Sequence, residues 1–327
     1  MSARHRIADF LSAFDAAGHS LKFEPIPQGV PGRMRLFSRG DKFDVVLLQR
    51  RLLPAYQLWF LRRTARRLIY DFDDALFHRD SYHRRGIRSH ERARQFRNLM
   101  ATADTVIAGS EFLRTRAIAD GADPAAVHLV PTCIATAKYP VRQHLERPTI
   151  DLVWIGSSST LQGIEQKRDL FEMLGRRFPN LRMRVICDRF PKFSNLETVC
   201  SRWSDSTEAQ EVARGDIGIT WVPDDEWSKG KCGYKILQYY AAALPVIANS
   251  AAIHPQLVRD GVTGFLADTQ EQWGRAIEAL ADPSARQRMG RAARDFVTKN
   301  YSITAHQNRL VEIIAGSGAV ARGRAKH

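Results

Sequence analysis

The chain has 327 residues, of which 44% are hydrophobic and 9% aromatic, enough apolar material for the cores of about two domains. Its formal net charge of +14 is uneven: residues 1–148 carry 25 Lys+Arg against 15 Asp+Glu (net +10), and residues 149–327 carry 24 against 20 (net +4). Such a charge favours acidic partners. Apolar runs fall short of the about 18 residues that span a bilayer, and the four isolated cysteines lack zinc-site spacing. We therefore expect a cytoplasmic protein with reduced thiols.

The first half of the chain alternates short apolar runs with helical patterns. Strands are predicted at Phe43–Leu48, Leu68–Asp71, Thr105–Ala108 and Val127–Val130. Helices are predicted at Pro54–Arg67, at His90–Ala101 and, behind an N-cap at Ser110, as far as about Asp120. Strands separated by helices of this length indicate βαβ units and a parallel sheet.

The polar segment Pro140–Pro148 interrupts this alternation and is the predicted linker. Beyond it, strands are predicted at Asp151–Ile155, Met183–Cys187, Ile217–Trp221 and Pro245–Ala248. The interleaved helices are predicted at Ile164–Phe178, Ser206–Arg214, Tyr234–Ala243 and Gln270–Ala281. The sequence therefore predicts an α/β protein with two tandem Rossmann-like, doubly wound domains at residues 1–145 and 146–300. A helix at about 301–315 is expected to pack back on the first domain, and residues 316–327 are expected to be a disordered tail.

The segment Trp227–Tyr240 contains three lysines and two glycines just before and within the start of an amphipathic helix. Backbone N–H groups, the positive end of the helix dipole and ammonium groups would converge there, which favours a phosphate. The alternative is a basic turn that is simply solvated. Gly156–Ser158 follows a strand end, where ligands of doubly wound sheets bind.

From about Ile150 onward, the chain resembles the C-terminal domain of group 1 (family 4) retaining glycosyltransferases of GT-B architecture. The residues that carry the resemblance are Trp154–Ser157, Asp216–Ile219, Trp227–Tyr240, Ala241–Asn249 and Asp260–Ala267, followed by Trp273, Arg288–Gly290, Ala293–Arg294 and Tyr301–Ser302. Looser matches in the first half, at Ser2–Ile7, Tyr70–Phe77 and Ala103–Ser110, look like a branch of the same family.

The resemblance implies two Rossmann-like domains facing across a cleft and an enzyme that needs no metal or cofactor. Its substrates would be a nucleotide-diphosphate sugar and a glycan or lipid-linked acceptor, and the sugar would be transferred with retention of configuration. Most members carry two glutamates where this chain has Gly230 and Gln238, and an arginine and a lysine where it has Ser157–Ser159. Lys231 and Lys235 are expected to supply the missing charge.

The family usually begins with a strand and a glycine-rich loop ahead of the residues that resemble Ser2–Ile7. Either the true start lies upstream of Met1, which we favour, or the first domain is rebuilt without its first strand.

Catalysis is assigned to Lys231 and Lys235, which would stabilise the leaving diphosphate, and to Asp73 and Asp74, which would hydrogen-bond sugar hydroxyls. The alternatives for the two aspartates are helix capping with arginine pairing, or metal binding. The expected donor-binding residues are Gly156, Ser157, Ser158 and Gly233 through backbone groups, Asp188 at the base edge, Trp203 and Trp221 by stacking, Gln238 at the ribose and Lys229 at the rim. Both tryptophans could instead fill the core.

His90 lies on a basic helix with Arg92, Arg94 and Arg97, a face that is either solvated or in contact with a phosphorylated or lipid-linked acceptor. Two alternatives to the transferase remain: a nucleotide-sugar epimerase, and an inactive glycosyltransferase-like binding protein. Nucleic acid is not an expected partner, because no helix-turn-helix, zinc finger or aromatic-basic platform is visible. The basic first half indicates peripheral contact with an anionic membrane, at its cytoplasmic face.

Overall fold

The computed structural model describes residues 5–316, so Ser2–Arg4 and the predicted tail beyond Gly316 lie outside the described residues. Contacts separate two units: residues up to Thr132, Lys229–Cys232 and residues from His306 form the first, while Cys133–Ser228 and Gly233–Ala305 form the second. The sequence predicts this division at 145. The intervening residues contact the second unit instead: the Ile134 N–H donates to Tyr301 O and the Arg142 N–H to Ala242 O, both at 2.9 Å.

The first unit is built on a four-stranded parallel sheet in the order β1-β2-β3-β4. Its strands are β1 (Val46–Gln49), β2 (Leu68–Phe72), β3 (Thr105–Ala108) and β4 (Val127–Leu129). Its helices are α1 (Leu11–Ala16), α2 (Val30–Phe37), α3 (Ala55–Thr64), α4 (His90–Met100) and α5 (Glu111–Ala119). The central strands β2 and β3 are buried at every position, as expected for a parallel sheet covered on both faces.

An aromatic cluster fixes α4 over β2. Phe96 of α4 packs edge-on against Phe72 and Tyr70 of β2, with ring centroids 5.3 and 6.5 Å apart. The helix begins where the sequence predicts, because the Ser89 hydroxyl accepts the Arg92 N–H as an N-cap. Packing and capping together hold the first turn of α4 near the carboxyl end of β2.

A buried ion pair joins the N-terminal segment to the same sheet. The Arg6 guanidinium binds the Asp71 carboxylate, with 3.1 Å between Nε and Oδ1, and donates to Val130 O at 2.6 Å. Both side chains are almost inaccessible to solvent. This pair accounts structurally for Arg6, one of the N-terminal residues in the resemblance.

The second unit contains a six-stranded parallel sheet in the order β7-β6-β5-β8-β9-β10. Its strands are β5 (Ile150–Ile155), β6 (Leu181–Cys187), β7 (Glu197–Arg202), β8 (Ile217–Thr220), β9 (Val246–Ala248) and β10 (Gly264–Leu266). After β5 the chain adds β6 and β7 on one side of that strand and then β8, β9 and β10 on the other side. This change of side is the doubly wound arrangement that the sequence predicts.

The helices of the second unit are α6 (Ser158–Glu165), α7 (Arg168–Arg177), α8 (Glu208–Ala213), α9 (Glu226–Lys229), α10 (Tyr234–Ala241), α11 (His254–Leu257), α12 (Gln270–Ala279) and α13 (Pro283–Tyr301), with α14 (Ile303–Ala315) leading from it into the first unit. The predicted single helix Ile164–Phe178 is wrong: the structure has two helices, α6 and α7. The serine-rich start of α6 has weak helix propensity and was therefore missed.

The guanidinium group of Arg67 caps the C-terminus of α14 in the first unit. The Arg67 guanidinium donates to the backbone oxygens of Ile313 at 2.8 Å and Ile314 at 3.0 Å. A guanidinium satisfies terminal carbonyls and complements the negative end of the helix dipole.

Candidate functional site

In the second unit, strands β5 and β8 separate at the point where the strand order of the sheet changes direction. The two strands pair only over Leu152–Val153 and Ile217–Gly218. Beyond these residues the backbones of the two strands are bridged by the hydroxyl of Tyr239 of α10. This hydroxyl donates to Ile219 O at 3.0 Å and accepts the Ile155 N–H at 3.2 Å. Ligands of doubly wound sheets bind outside the carboxyl ends of strands at such a reversal.

The loop after β5 brings Gly156 and Lys235 together. The Lys235 ammonium donates to Thr160 Oγ1 at 3.3 Å and lies 4.1 Å from the centroid of the Trp154 ring. A Cβ on Gly156 would stand 2.7 Å from both Thr160 Oγ1 and the same ring, so only glycine permits this packing. A lysine is therefore held beside the first turn of α6, where the sequence predicts phosphate binding.

Asp188 already occupies part of that helix start. Its carboxylate accepts the Cys187 S–H at 3.2 Å and the Ser158 N–H at 2.8 Å, and these hydrogen bonds lower the pKa of Asp188 to about 2. The anion thus offsets the positive end of α6. Lys235 supplies a cationic group beside the start of α6. The Ser158 N–H is predicted to bind phosphate, but in the structure it donates to the Asp188 carboxylate. Ser157, the residue before Ser158, hydrogen-bonds Ser159 through its hydroxyl at 2.8 Å.

Trp221 lies directly after β8, on the other side of the reversal. The Lys167 ammonium stands 4.6 Å from its ring centroid, a cation–π geometry. Asn249 fixes the following segment, because its amide exchanges two hydrogen bonds with the Val222 backbone, at 3.1 and 2.8 Å. Sequence reasoning missed Lys167, since it lies at the break in a helix that was predicted to be continuous.

Three other predicted donor-binding residues have defined places in the second unit. Trp203 is half-buried, and its indole N–H donates to Glu208 Oε2 at 3.0 Å. Gln238 is buried and donates to the Tyr139 hydroxyl at 3.1 Å, so its role at a ribose stays a prediction. Gly233 has φ +65° at the start of α10, a conformation that favours glycine.

The predicted acidic residues lie at the carboxyl end of β2, in the first unit. Arg50, which follows β1 and has φ +51°, pairs with Asp73 at 3.3 Å and with Asp74. Burial raises the pKa of Asp74 to about 6, against the opposing charges of Arg50 and Lys231. The ion pairs of Asp73 and Asp74 with Arg50 agree with the arginine pairing that the sequence left open as an alternative role for these aspartates.

The segment Lys229–Cys232 belongs to the first unit and packs against the residues that follow the carboxyl end of β2. A Cβ on Gly230 would stand 2.5 Å from Ala75 N, and the Cys232 S–H donates to Asp73 O at 3.3 Å. Lys231 therefore joins the aspartates, whereas Lys235 belongs to the loop after β5. Lys229 is exposed. Within residues 5–316, no group of three His, Cys, Asp or Glu side chains converges as a metal site would require.

Comparison with known proteins shows which fold carries these residues. Residues 165–314 match the profile of the glycosyl transferase-like family. A curated relative, glucosyltransferase 3 of Streptococcus gordonii, is 30% identical over 76 residues, which are 21% of this chain and 23% of that protein. The chain thus spans less than a quarter of the curated relative that it matches.

Solved structures resemble the chain over most of its length. The structure of Anabaena Alr3699/HepE in complex with UDP-glucose has a TM-score of 0.67 at 15% identity and covers 89% of this chain and 84% of its own. Sucrose-phosphate synthase of Thermosynechococcus elongatus has a TM-score of 0.68 at 14% identity, with 94% and 91% covered. The protein therefore has two parallel-sheet α/β domains of the kind found in GT-B glycosyltransferases, which confirms the predicted fold class. The doubly wound order holds for the second sheet, whereas the described strands of the first sheet follow one another in chain order without a reversal.

Proposed function

We propose that the protein is a glycosyltransferase that transfers a sugar from a nucleotide-diphosphate donor to an acceptor with retention of configuration, as in group 1 (family 4). The observation that carries the proposal is the position of Lys235 beside the first turn of α6, at the strand reversal of a doubly wound sheet. The match of residues 165–314 to the glycosyl transferase-like family and the structural neighbours solved with UDP or UDP-glucose support it.

In the proposed reaction the bond between the anomeric carbon and the diphosphate oxygen breaks, and a bond from that carbon to the acceptor oxygen forms. The departing phosphate takes the acceptor proton on the same face, so no protein base is required. Negative charge grows on the leaving group, and each well-placed donor such as Lys235 would contribute about 2.7–4 kcal/mol. The predicted roles of Lys231, as a second cation for the leaving group, and of Asp73 and Asp74, as partners of sugar hydroxyls, stay predictions.

The proposal is tested with a thermal-shift panel of UDP, GDP, ADP and TDP and their sugars. One nucleotide family is expected to raise the melting temperature, since a ligand at 100 times its dissociation constant adds about 2.7 kcal/mol of stability. Lys235→Ala should abolish the shift, whereas Lys299→Ala, which changes an exposed lysine of α13, should retain it. No shift with any nucleotide contradicts the proposal.

Turnover then separates the alternatives. Release of nucleoside diphosphate that requires an acceptor supports the transferase, and the anomeric configuration of the product, read by NMR, tests retention. Conversion of the donor to an epimer without an acceptor identifies an epimerase. Binding with no turnover in the presence of lipid-linked and glycan acceptors identifies the inactive binding protein.

We also propose peripheral contact with an anionic membrane through one face of α3. Trp59 and Tyr56 are 61% and 53% exposed on this face, and the Arg63 guanidinium lies 5.0 Å from the Trp59 ring centroid. Residues 50–70 contain six arginines and no Asp or Glu, and three of the arginines (Arg50, Arg62 and Arg66) pair with acids elsewhere in the first unit. Aromatic rings with flanking arginines suit a lipid headgroup region. No helix of the described chain is both long and apolar enough to cross a membrane.

Co-sedimentation with vesicles tests this contact. The protein is expected to pellet with phosphatidylglycerol vesicles at low salt and not with phosphatidylcholine vesicles. Trp59→Ala/Arg63→Glu should abolish pelleting. Arg288→Glu/Arg291→Glu reverses two charges at exposed positions of α13 and should change it little. Equal losses in the two double variants would contradict a contact specific to α3.

A further inference from the structure

Asp188 places a carboxylate on the start of α6. Its Oδ1 accepts the Ser158 N–H at 2.8 Å and the Cys187 S–H at 3.2 Å. Ser158 is the first residue of α6, so its N–H is one of the four that have no partner within a helix. An anion of the chain itself therefore occupies a donor that would otherwise be open to a phosphate oxygen.

The Asp188 side chain is free to leave this position. Cys187 is buried at the end of β6, whereas Asp188 is exposed, so two hydrogen bonds and no packing hold the carboxylate. The neighbouring Arg189 does not neutralise it, because Arg189 pairs with Glu165 at 2.6 Å. The start of α6 thus carries a negative charge that rotation of one side chain can remove.

Lys235 is occupied at the same helix start. Thr160, two residues beyond Ser158, accepts a hydrogen bond from the Lys235 ammonium group at 3.3 Å and donates its own hydroxyl proton to Ser157 O at 3.1 Å. An ammonium group has only donors, so the hydroxyl oxygen stands where a phosphate oxygen would accept. Both donors, the Ser158 N–H and the Lys235 ammonium group, therefore have acceptors within the chain.

We propose that these two contacts autoinhibit the donor site: Asp188 and Thr160 take the places of two phosphate oxygens. The inference rests on the proposed function, because the donor diphosphate is the ligand that displaces them. Binding moves the Asp188 carboxylate into solvent and exchanges Thr160 for a phosphate oxygen at Lys235. Contacts that exist only in the free protein lower its apparent affinity, since the ligand binds the fraction of molecules in which they are open.

The test is calorimetric titration of the wild type and of Asp188→Asn with UDP, GDP, ADP and TDP. The variant keeps the size of the side chain and removes its charge. Its affinity for the nucleotide that binds the wild type is expected to rise about tenfold, because a charged competitor is lost. Asp188→Ala, which removes the acceptor as well, should raise the affinity at least as much.

The sign of this change separates the possible roles of Asp188. A contact with the base edge, as the sequence predicts, would make Asp188→Asn bind more weakly. A carboxylate that only caps α6 would lower the melting temperature of the variant and leave its affinity unchanged. Either result would overturn the proposal.

Asp282→Asn is the matched control. Asp282 is an exposed aspartate of the same unit, and it accepts the Ser284 N–H at 2.8 Å at the start of α13. The variant removes an equal charge and an equal cap, and its affinity should stay within about twofold of the wild type, since exposed charges away from the site are screened. A tenfold gain here as well would show a general effect of net charge and contradict the inference.

Thr160→Val tests the second contact without touching the cap. Its affinity is expected to rise about threefold, because a neutral hydroxyl competes less than a carboxylate. Thr160→Ser keeps the hydroxyl and should bind like the wild type. Weaker binding by Thr160→Val would mean that the hydroxyl supports the bound state, which is the opposite of what we propose.

Lys235→Ala, measured in parallel, separates this inference from the proposed function. If none of the four nucleotides binds the wild type or any variant, the proposed function fails. Binding that Lys235→Ala weakens and that Asp188→Asn does not strengthen refutes the autoinhibition alone.

Discussion

Protonation of Asp74 should make the first unit more stable as the pH falls. The ordinary pKa of this carboxyl is 3.8, and burial raises it to about 6 in the folded chain. A carboxyl whose folded pKa is raised contributes stability that is complete below its unfolded pKa and is lost as the pH rises through its folded pKa. Between about pH 7.5 and about pH 4.5, Asp74 should therefore add about 2 kcal/mol to the free energy of unfolding.

The assay is urea unfolding of the wild type and of Asp74→Asn at both pH values. The variant lacks the titrating group, so its change in unfolding free energy with pH should differ from that of the wild type by about 2 kcal/mol. Asp44→Asn is the control, because the Asp44 side chain is 98% exposed and should give no difference. The same pH dependence in the wild type and Asp74→Asn would refute the reasoning.

Gly233→Ala should lose about 3 kcal/mol of unfolding free energy, because φ is +65° and the new Cβ would overlap Leu257 Cδ1. Gly261→Ala, at φ +71° in open space, should lose only about 1–2 kcal/mol in the same urea assay, and equal losses would contradict the packing argument. Arg6→Met should lose about 3–5 kcal/mol by leaving Asp71 buried without its partner. Arg6→Met/Asp71→Leu should recover part of that loss, and a double variant no more stable than the single one would count against it. EDTA should leave sugar transfer unchanged, because lysines are proposed to neutralise the diphosphate; a loss that Mg²⁺ restores would disprove this.

Local signals predicted most elements of the two sheets. Thr105–Ala108 has the bounds that its apolar run predicts, and α4 begins at His90 because Ser89 caps it. The polar edge strand β7 carries no hydrophobic alternation and was not predicted. The order of the strands in a sheet also depends on which apolar faces pack together. The hydrophobic pattern of one strand does not show which strands lie beside it.

The lysine segment shows why the candidate site was only partly predictable. Lys231 and Lys235 are four residues apart, and a local reading assigns both to one phosphate site. In the structure Lys231 packs with the first unit and Lys235 with the second, because the chain turns at Gly233 with φ +65°. The pairing of Arg50 with Asp74, 24 residues apart, likewise depends on neighbouring strand ends.

A crystal structure with the sugar nucleotide that gives the largest thermal shift tests the central claim most directly. The account predicts the diphosphate beside the first turn of α6, within hydrogen-bond distance of Lys235 Nζ, with the ammonium group moved from Thr160 Oγ1 toward the phosphate oxygens. A diphosphate bound elsewhere, with Lys235 still donating to Thr160, would contradict it.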